Sequence, residues 1–161
     1  MFYTLYNSPL GIITLASDQQ GLRELHFEED RHFAGVQDTW VKDAEQAILV
    51  QTCRQLDEYF AGKRQMFDIP ISHQGTAFQQ QVWQYLQNIP MGSTVSYADI
   101  ASALGRPAAM RAVGTAVGRN RMSIVVPCHR VLGSNKRLAG YVAGLPRKKF
   151  LLDLEHAAYK E

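Results

Sequence analysis

The chain changes its pattern near residue 73, and that change limits the folds open to it. Before it, short runs rich in β-formers (Phe2–Asn7, Ile12–Ala16 and Leu22–Phe27) are separated by Ser8-Pro9-Leu10-Gly11 and Asp18-Gln19-Gln20-Gly21. Alternation of strand and turn chemistry predicts a small antiparallel sheet. Glu28–Val41 reads as a loop or a ragged helix start. From Asp43 to Phe60, apolar residues recur at Ala44, Ile48, Leu49, Cys53, Leu56 and Phe60, the stripe of an amphipathic helix, which Ala61-Gly62-Lys63 stops. Phe67–Ile71 is expected to add a strand. Ser72–Gly75 is the expected boundary between an N-terminal α/β domain, residues 1–73, and a second domain, residues 74–161.

The second half is read as mostly helical. Thr76 with Gln79, and Ser96 with Asp99, are capping boxes that open helices. The first helix carries Phe78, Val82, Leu86 and Ile89 on one face and ends at Pro90 and Gly92. The second is short, runs to Leu104 and is capped by Gly105. A third, about Ala108–Val117, follows Pro107 and leads into Arg119-Asn120-Arg121. Two short helices joined by a Gly-containing turn describe a helix-turn-helix. Gly114 and Gly118 lower helix propensity and suggest close backbone packing. Ser123–Val126 is expected to be a short buried strand running into Pro127-Cys128-His129-Arg130, and Pro146 to open a last helix through Glu155.

Charge separates the halves as well. Residues 1–73 hold 6 Lys/Arg and 11 Asp/Glu; residues 74–161 hold 11 and 4. Between Gln74 and Leu152 ten basic residues face one acid, Asp99. A solvated surface ordinarily mixes signs, so the second half is expected to meet a polyanion, nucleic acid first of all. The competing reading docks the basic half on the acidic one. With 46% hydrophobic and 20% charged residues, the composition excludes wholesale disorder. No apolar run spans a bilayer, and the first residues show no signal segment. Two cysteines suggest a reducing compartment, so a cytoplasmic location is expected.

Cys53 lies on a helical apolar stripe and reads as a core residue. Cys128 differs: it follows a proline, adjoins His129 and has basic neighbours, surroundings that lower a thiol's pKa and make it a nucleophile. In extended chain, adjacent side chains point apart, so a proton would pass from Cys128 to His129 through a water. The imidazole then needs an orienting acid. Asp99, Asp153, Glu155 and the acidic first half are the candidates. These residues leave a DNA-binding cysteine sensor and a cysteine hydrolase open.

Pro127-Cys128-His129-Arg130-Val131 resembles the active-site signature of the O6-alkylguanine-DNA alkyltransferases. Gly92-Ser93-Thr94-Val95-Ser96-Tyr97, Arg111-Ala112-Val113-Gly114, Arg119-Asn120, Gly140-Tyr141, Gly144-Leu145 and Leu151-Leu152-Asp153-Leu154-Glu155 resemble further family motifs, in family order. The strong match covers about residues 75–156. The resemblance implies an α/β (α+β) protein. Its small N-terminal domain has an antiparallel sheet and a helix, and its C-terminal domain is winged-helix-like. It also implies repair of double-stranded DNA by irreversible transfer of an alkyl group from O6-alkylguanine, and more weakly O4-alkylthymine, to Cys128. The protein would act as a monomer, without metal or other cofactor.

It further implies a role for each residue. His129 and Glu155 would form the relay that generates the thiolate. Asn120 would tie the helix-turn-helix to the active-site segment. Arg111 would fill the place of an extruded nucleotide. Tyr97 would donate a hydrogen bond to the guanine ring, beside Ser96 at the helix start. Tyr141 would wall the base pocket, and the backbone of Cys128 and Val131 would read the guanine edge. Small residues such as Ala112 and Gly114 would let the helix approach DNA closely. Val142-Ala143 and Ser123 depart from common family residues and bear on bulky alkyl groups.

Overall fold

A computed structural model describes all residues, 1–161. Strands β1 (Phe2–Ser8), β2 (Gly11–Ser17) and β3 (Leu22–Phe27) form an antiparallel meander. A two-residue strand, β4 (Val41–Lys42), pairs parallel to β1, giving the order β3-β2-β1-β4. Helix α1 (Ala47–Phe60) follows. It starts later than the apolar stripe suggests. The Asp43 carboxylate accepts the Glu45 N–H and holds a turn there, and Gln46 supplies the N-cap to Leu49.

Phe67–Ile71, expected as a strand, runs beside β3 without becoming one. It makes two backbone bonds, Leu22 N–H to Pro70 O (2.8 Å) and Ser72 N–H to Leu22 O (2.9 Å). Pro70 has no N–H to give, and both backbone groups of Asp68 are taken by the Gln55 side chain.

The second half follows its caps. Both capping boxes form, opening α2 (Ala77–Gln87) at Thr76 and α3 (Tyr97–Ala103) at Ser96. Gly105, at φ 72°, takes the left-handed position after α3. Helix α4 (Met110–Gly118) completes the helix-turn-helix, and the Trp83 indole of α2 donates to Ala116 O at 2.8 Å. The two-residue strands β5 (Val95–Ser96) and β6 (Val131–Leu132) pair in parallel, and α5 (Leu145–Leu154) closes the chain's core. No helix is long and apolar enough to cross a membrane.

Three sequence expectations need correction. Ser123–Val126 is a buried turn, not a strand, with Ile124 at φ 72°. Met122 alone bridges β3, at Leu25, so the segment is pinned at one point and curls. Gly114 and Gly118 do not mark tight packing. An added Cβ would meet only the Tyr97 ring, at 3.8 Å, from Gly114 and nothing within 4 Å from Gly118. The basic excess also overstates the outward charge. Of the ten basic residues, Arg121, Arg130, Arg147, Lys148 and Lys149 bind the protein itself. Only Arg121 among them pairs with an acid of the first half, Glu24, so the docked reading of the charge split rests on a single ion pair.

One cluster of 28 buried residues runs from β2 and β3 through α1 and α2 to Val126, Cys128 and Leu151, so the two halves share a core. Within the first half, Gly21 packs against the segment that runs beside β3. A Cβ there would lie 2.8 Å from Ile71 C and Ser72 N, backbone atoms with little room to give. Gly21→Ala is therefore expected to destabilise the fold by about 1–3 kcal/mol through overpacking. Gly118→Ala, with open space at its Cβ, should stabilise it by about 0.5–1 kcal/mol. Urea unfolding of both variants checks the pair; equal shifts of the same sign would overturn the packing account.

Candidate active site

The segment from Asn120 to Val131 carries the reactive residues and is shaped by side chain–backbone bonds. Asn120, buried at the end of α4, donates from its amide to Val126 O at 2.8 Å and accepts the Met122 N–H at 3.0 Å. These bonds close the loop around Ile124. A β-branched residue in the left-handed region is costly, by about 1–3 kcal/mol, and persists only where its surroundings fix it. Cys128 then opens a single 3₁₀ turn, Cys128–Arg130, so Cys128 and His129 are not in extended chain as expected. They still make no direct hydrogen bond: His129 binds elsewhere.

The relay centres on Glu155, at the end of α5. His129 Nε2 lies 2.7 Å from Glu155 Oε2. The Arg130 guanidinium donates to both carboxylate oxygens, at 2.8 and 3.0 Å, and to Ile89 O at 2.6 Å. The Tyr59 hydroxyl of α1 donates to Oε2 at 2.6 Å. Burial alone would raise the Glu155 pKa, but His129 and Arg130 hold it at about 2. An ionised carboxylate only accepts, so His129 Nε2 must carry the proton. Nδ1 is then the lone-pair nitrogen, and no protein group binds it. Burial depresses the His129 pKa despite Glu155, so the ring is neutral and able to accept a proton at Nδ1.

The thiol corrects another expectation. Its basic neighbours do not leave it ionised. Burial raises the Cys128 pKa above its ordinary value, although Asn120, Lys148 and Tyr141 favour the thiolate. Lys148 is buried, donates to Val131 O at 2.7 Å and to Ala139 O and Gly140 O, and is lowered by burial to about 8. The resting cysteine is a thiol that must lose its proton during the reaction.

Cys128 forms the floor of a cavity of about 140 Å³, with Tyr97, Gly114, Val117, Tyr141 and Val142 in its walls. Gly118 and Gly140 complete the lining, and Arg31, exposed to solvent, stands at the mouth. Tyr97 and Gly114 also border an open groove of about 450 Å³ that holds Ser96, Met110, Arg111 and Ser134. Arg111 and Ala112 are exposed on α4. The burial of Tyr97 and the nearby Cys128 keep its hydroxyl protonated and able to donate.

The structure thus brings together Cys128, His129, Glu155, Asn120, Tyr97, Tyr141 and Gly114, with Arg111 and Ser96 along the adjoining groove. Ser96 is occupied as the cap of α3. Val131 stands apart: it is fully buried, its N–H goes to Cys128 O and its carbonyl already accepts from Lys148. Only a second lone pair on that carbonyl is left to read a base. Sequence reasoning missed Tyr59, Lys148, Arg31 and the inward turn of Arg130. No local pattern marks the first three, whereas a basic residue within a buried apolar signature could have marked Arg130. No group of three or more His, Cys, Asp or Glu side chains is arranged to hold a metal ion.

Comparison with known proteins agrees with this geometry. Residues 1–73 match the profile of the 6-O-methylguanine DNA methyltransferase ribonuclease-like domain, and residues 77–157 that of the 6-O-methylguanine DNA methyltransferase DNA binding domain. A methylated-DNA–protein-cysteine methyltransferase of Methanosarcina acetivorans is 45% identical, over 96% of this chain and 98% of that protein. The constitutive enzyme of the same name from Bacillus subtilis is 44% identical, over 99% and 98%. A crystal structure of Mycobacterium tuberculosis OGT in complex with DNA superposes with a TM-score of 0.89 at 41% identity, covering 97% of this chain and 93% of that one. With a cysteine sealed beneath a narrow cavity, a histidine relay behind it and matches along nearly its whole length, the chain belongs to the 6-O-methylguanine DNA methyltransferase family.

Proposed function

We propose that this protein repairs double-stranded DNA by moving a methyl or other alkyl group from O6-alkylguanine, and from O4-alkylthymine, onto Cys128, once per chain. The observation that carries this reading is a buried thiol at the floor of a small cavity, behind which Glu155 fixes the only free lone pair of His129 at Nδ1.

A guanine within a duplex cannot bring its O6 substituent to such a floor without leaving the stack. Flipping it out costs a few kcal/mol, less where alkylation has weakened the pair. Arg111, exposed on α4 beside the groove, is the side chain to occupy the vacated space. Once the base is seated, His129 Nδ1 accepts the thiol proton through water. The thiolate displaces the alkyl carbon from O6, and Tyr97 donates a hydrogen bond to the departing guanine. Asn120 keeps the nucleophile in register with the end of α4. Water does not cleave a thioether, so the protein is consumed.

Residues 74–161 would carry DNA binding and chemistry, with residues 1–73 forming the domain that supplies Tyr59. We place the protein in the cytoplasm; its two free cysteines suit a reducing compartment.

Incubation with a duplex containing O6-methylguanine is expected to add one methyl mass to the peptide bearing Cys128 and none to that bearing Cys53. Intact-protein and peptide mass spectrometry read this directly. Several turnovers per chain would sink the proposal.

The relay and the flipping residue separate in a second measurement. His129→Ala should slow transfer from both duplex and free O6-alkylguanine base by roughly a hundredfold or more, the worth of a general base. Arg111→Ala should slow the duplex reaction roughly ten- to a hundredfold, since flipping a base is worth a few kcal/mol, and change the free-base rate far less. If Arg111→Ala slowed both substrates equally, its assignment to flipping would be withdrawn.

A further inference from the structure

The cavity over Cys128 has one wall residue from the first 73, Arg31, and Arg31 carries the only charge in that wall. Its guanidinium is exposed and pairs with no carboxylate. Its position is set from below. The Asp30 side chain, fully buried, receives His26 Nδ1 at 2.9 Å and the His32 N–H at 3.1 Å. The Phe33 N–H returns to Asp30 O at 3.2 Å, and the Phe33 ring stacks on His26 with centroids 4.4 Å apart. His26 Nε2 is held by Glu24, which also meets Arg121 at 3.5 Å. On the cavity side, the Arg31 N–H bonds Val142 O at 3.4 Å, joining this turn to the loop that carries Tyr141.

The acids of the turn are directed away from Arg31. Asp30 and Glu24 are committed to His26, and Glu28 accepts the Ile12 N–H at 3.0 Å. Glu29 is the one left, exposed to solvent. Cations gather in their place. Partial burial and the charges of Arg119, at the end of α4, and of Arg31 depress the His32 imidazole, with Asp30 opposing them. An exposed guanidinium without a counter-charge is free to take up an arriving anion. Arginine is also the side chain whose planar fork fits phosphate oxygens.

We propose that Arg31 forms a phosphate-binding site through which the N-terminal half of the chain grips the DNA strand beside the extruded nucleotide. The site rests on the repair reading above: the sugar-phosphate backbone flanking a base in this cavity has to pass its mouth, where Arg31 stands. DNA binding then extends beyond the helix-turn-helix, and the acidic half contributes one cation where its own acids are turned inward.

The test is a salt titration of binding to a short duplex holding one O6-methylguanine, in a Cys128→Ala background that cannot react, with Arg31 intact, Arg31→Ala or Arg31→Lys. One lost phosphate contact should reduce the slope of log affinity against log salt by about 0.9 in Arg31→Ala, and Arg31→Lys, which keeps the charge, should restore it. With Cys128 intact, Arg31→Ala should also lower the ratio of duplex to free-base transfer rates several-fold. An unchanged salt slope overturns the site. Equal slowing of duplex and free base overturns it too, because Arg31 would then act on the base as a pocket wall. A wild-type chain that takes no alkyl group from DNA overturns the repair reading itself, an outcome distinct from either.

Discussion

The carboxylate of Glu155 is where the parts of this chain meet. α5 delivers it, α1 reaches it through Tyr59, the nucleophile's own turn supplies His129 and Arg130, and Arg130 reaches on to the end of α2 at Ile89. A buried charge is tolerated only where its lone pairs are filled. Here Arg130 takes one position on each oxygen, and His129 and Tyr59 fill Oε2. Removing one partner of such a pair typically costs about 3–5 kcal/mol, because the other is left charged and unpaired. The same bonds decide the chemistry. An ionised Glu155 fixes the His129 tautomer, and the tautomer leaves Nδ1 as the base. Fold stability and proton transfer therefore depend on one group, and neither half of the chain completes it alone.

Around that hub, the reactive turn is held in a conformation it would not adopt unaided. Ile124 occupies left-handed backbone, and Asn120 spans the loop to Val126. The residue that ends the recognition helix thus shapes the peptide two residues before Cys128.

What could be read from the sequence was local. Thr76 with Gln79 and Ser96 with Asp99 mark helix starts because a capping box closes within four residues, and both formed. The meander was legible from its turns. Cys128, His129 and Glu155 stood out through an ordered set of motifs. The failures share a physical cause. β4 is two residues long and parallel, with no local signal. Tyr59 meets Glu155 across 96 positions, and nothing near Tyr59 announces it. The charge count treated Arg130 and Lys148 as surface cations, when one is paired to Glu155 and the other caps three carbonyls. Ser123–Val126 has strand composition, but with a single bridge to β3 its β-branched residues curl around Asn120 instead.

The protonated resting thiol follows from the same burial and suits a protein that reacts once. A standing thiolate would be open to oxidants and to free alkylating agents, and each such event would spend the molecule. Here desolvation keeps Cys128 neutral while Asn120 and Lys148 stand ready to favour the anion. His129 Nδ1 is left with a free lone pair because Glu155 holds the proton on the opposite nitrogen. Reactivity is thereby tied to the filling of the cavity. In the proposed reaction a base seated between Tyr97 and Tyr141 would bring the leaving group to the sulfur, and the thiolate formed there would be spent at once in the new carbon–sulfur bond.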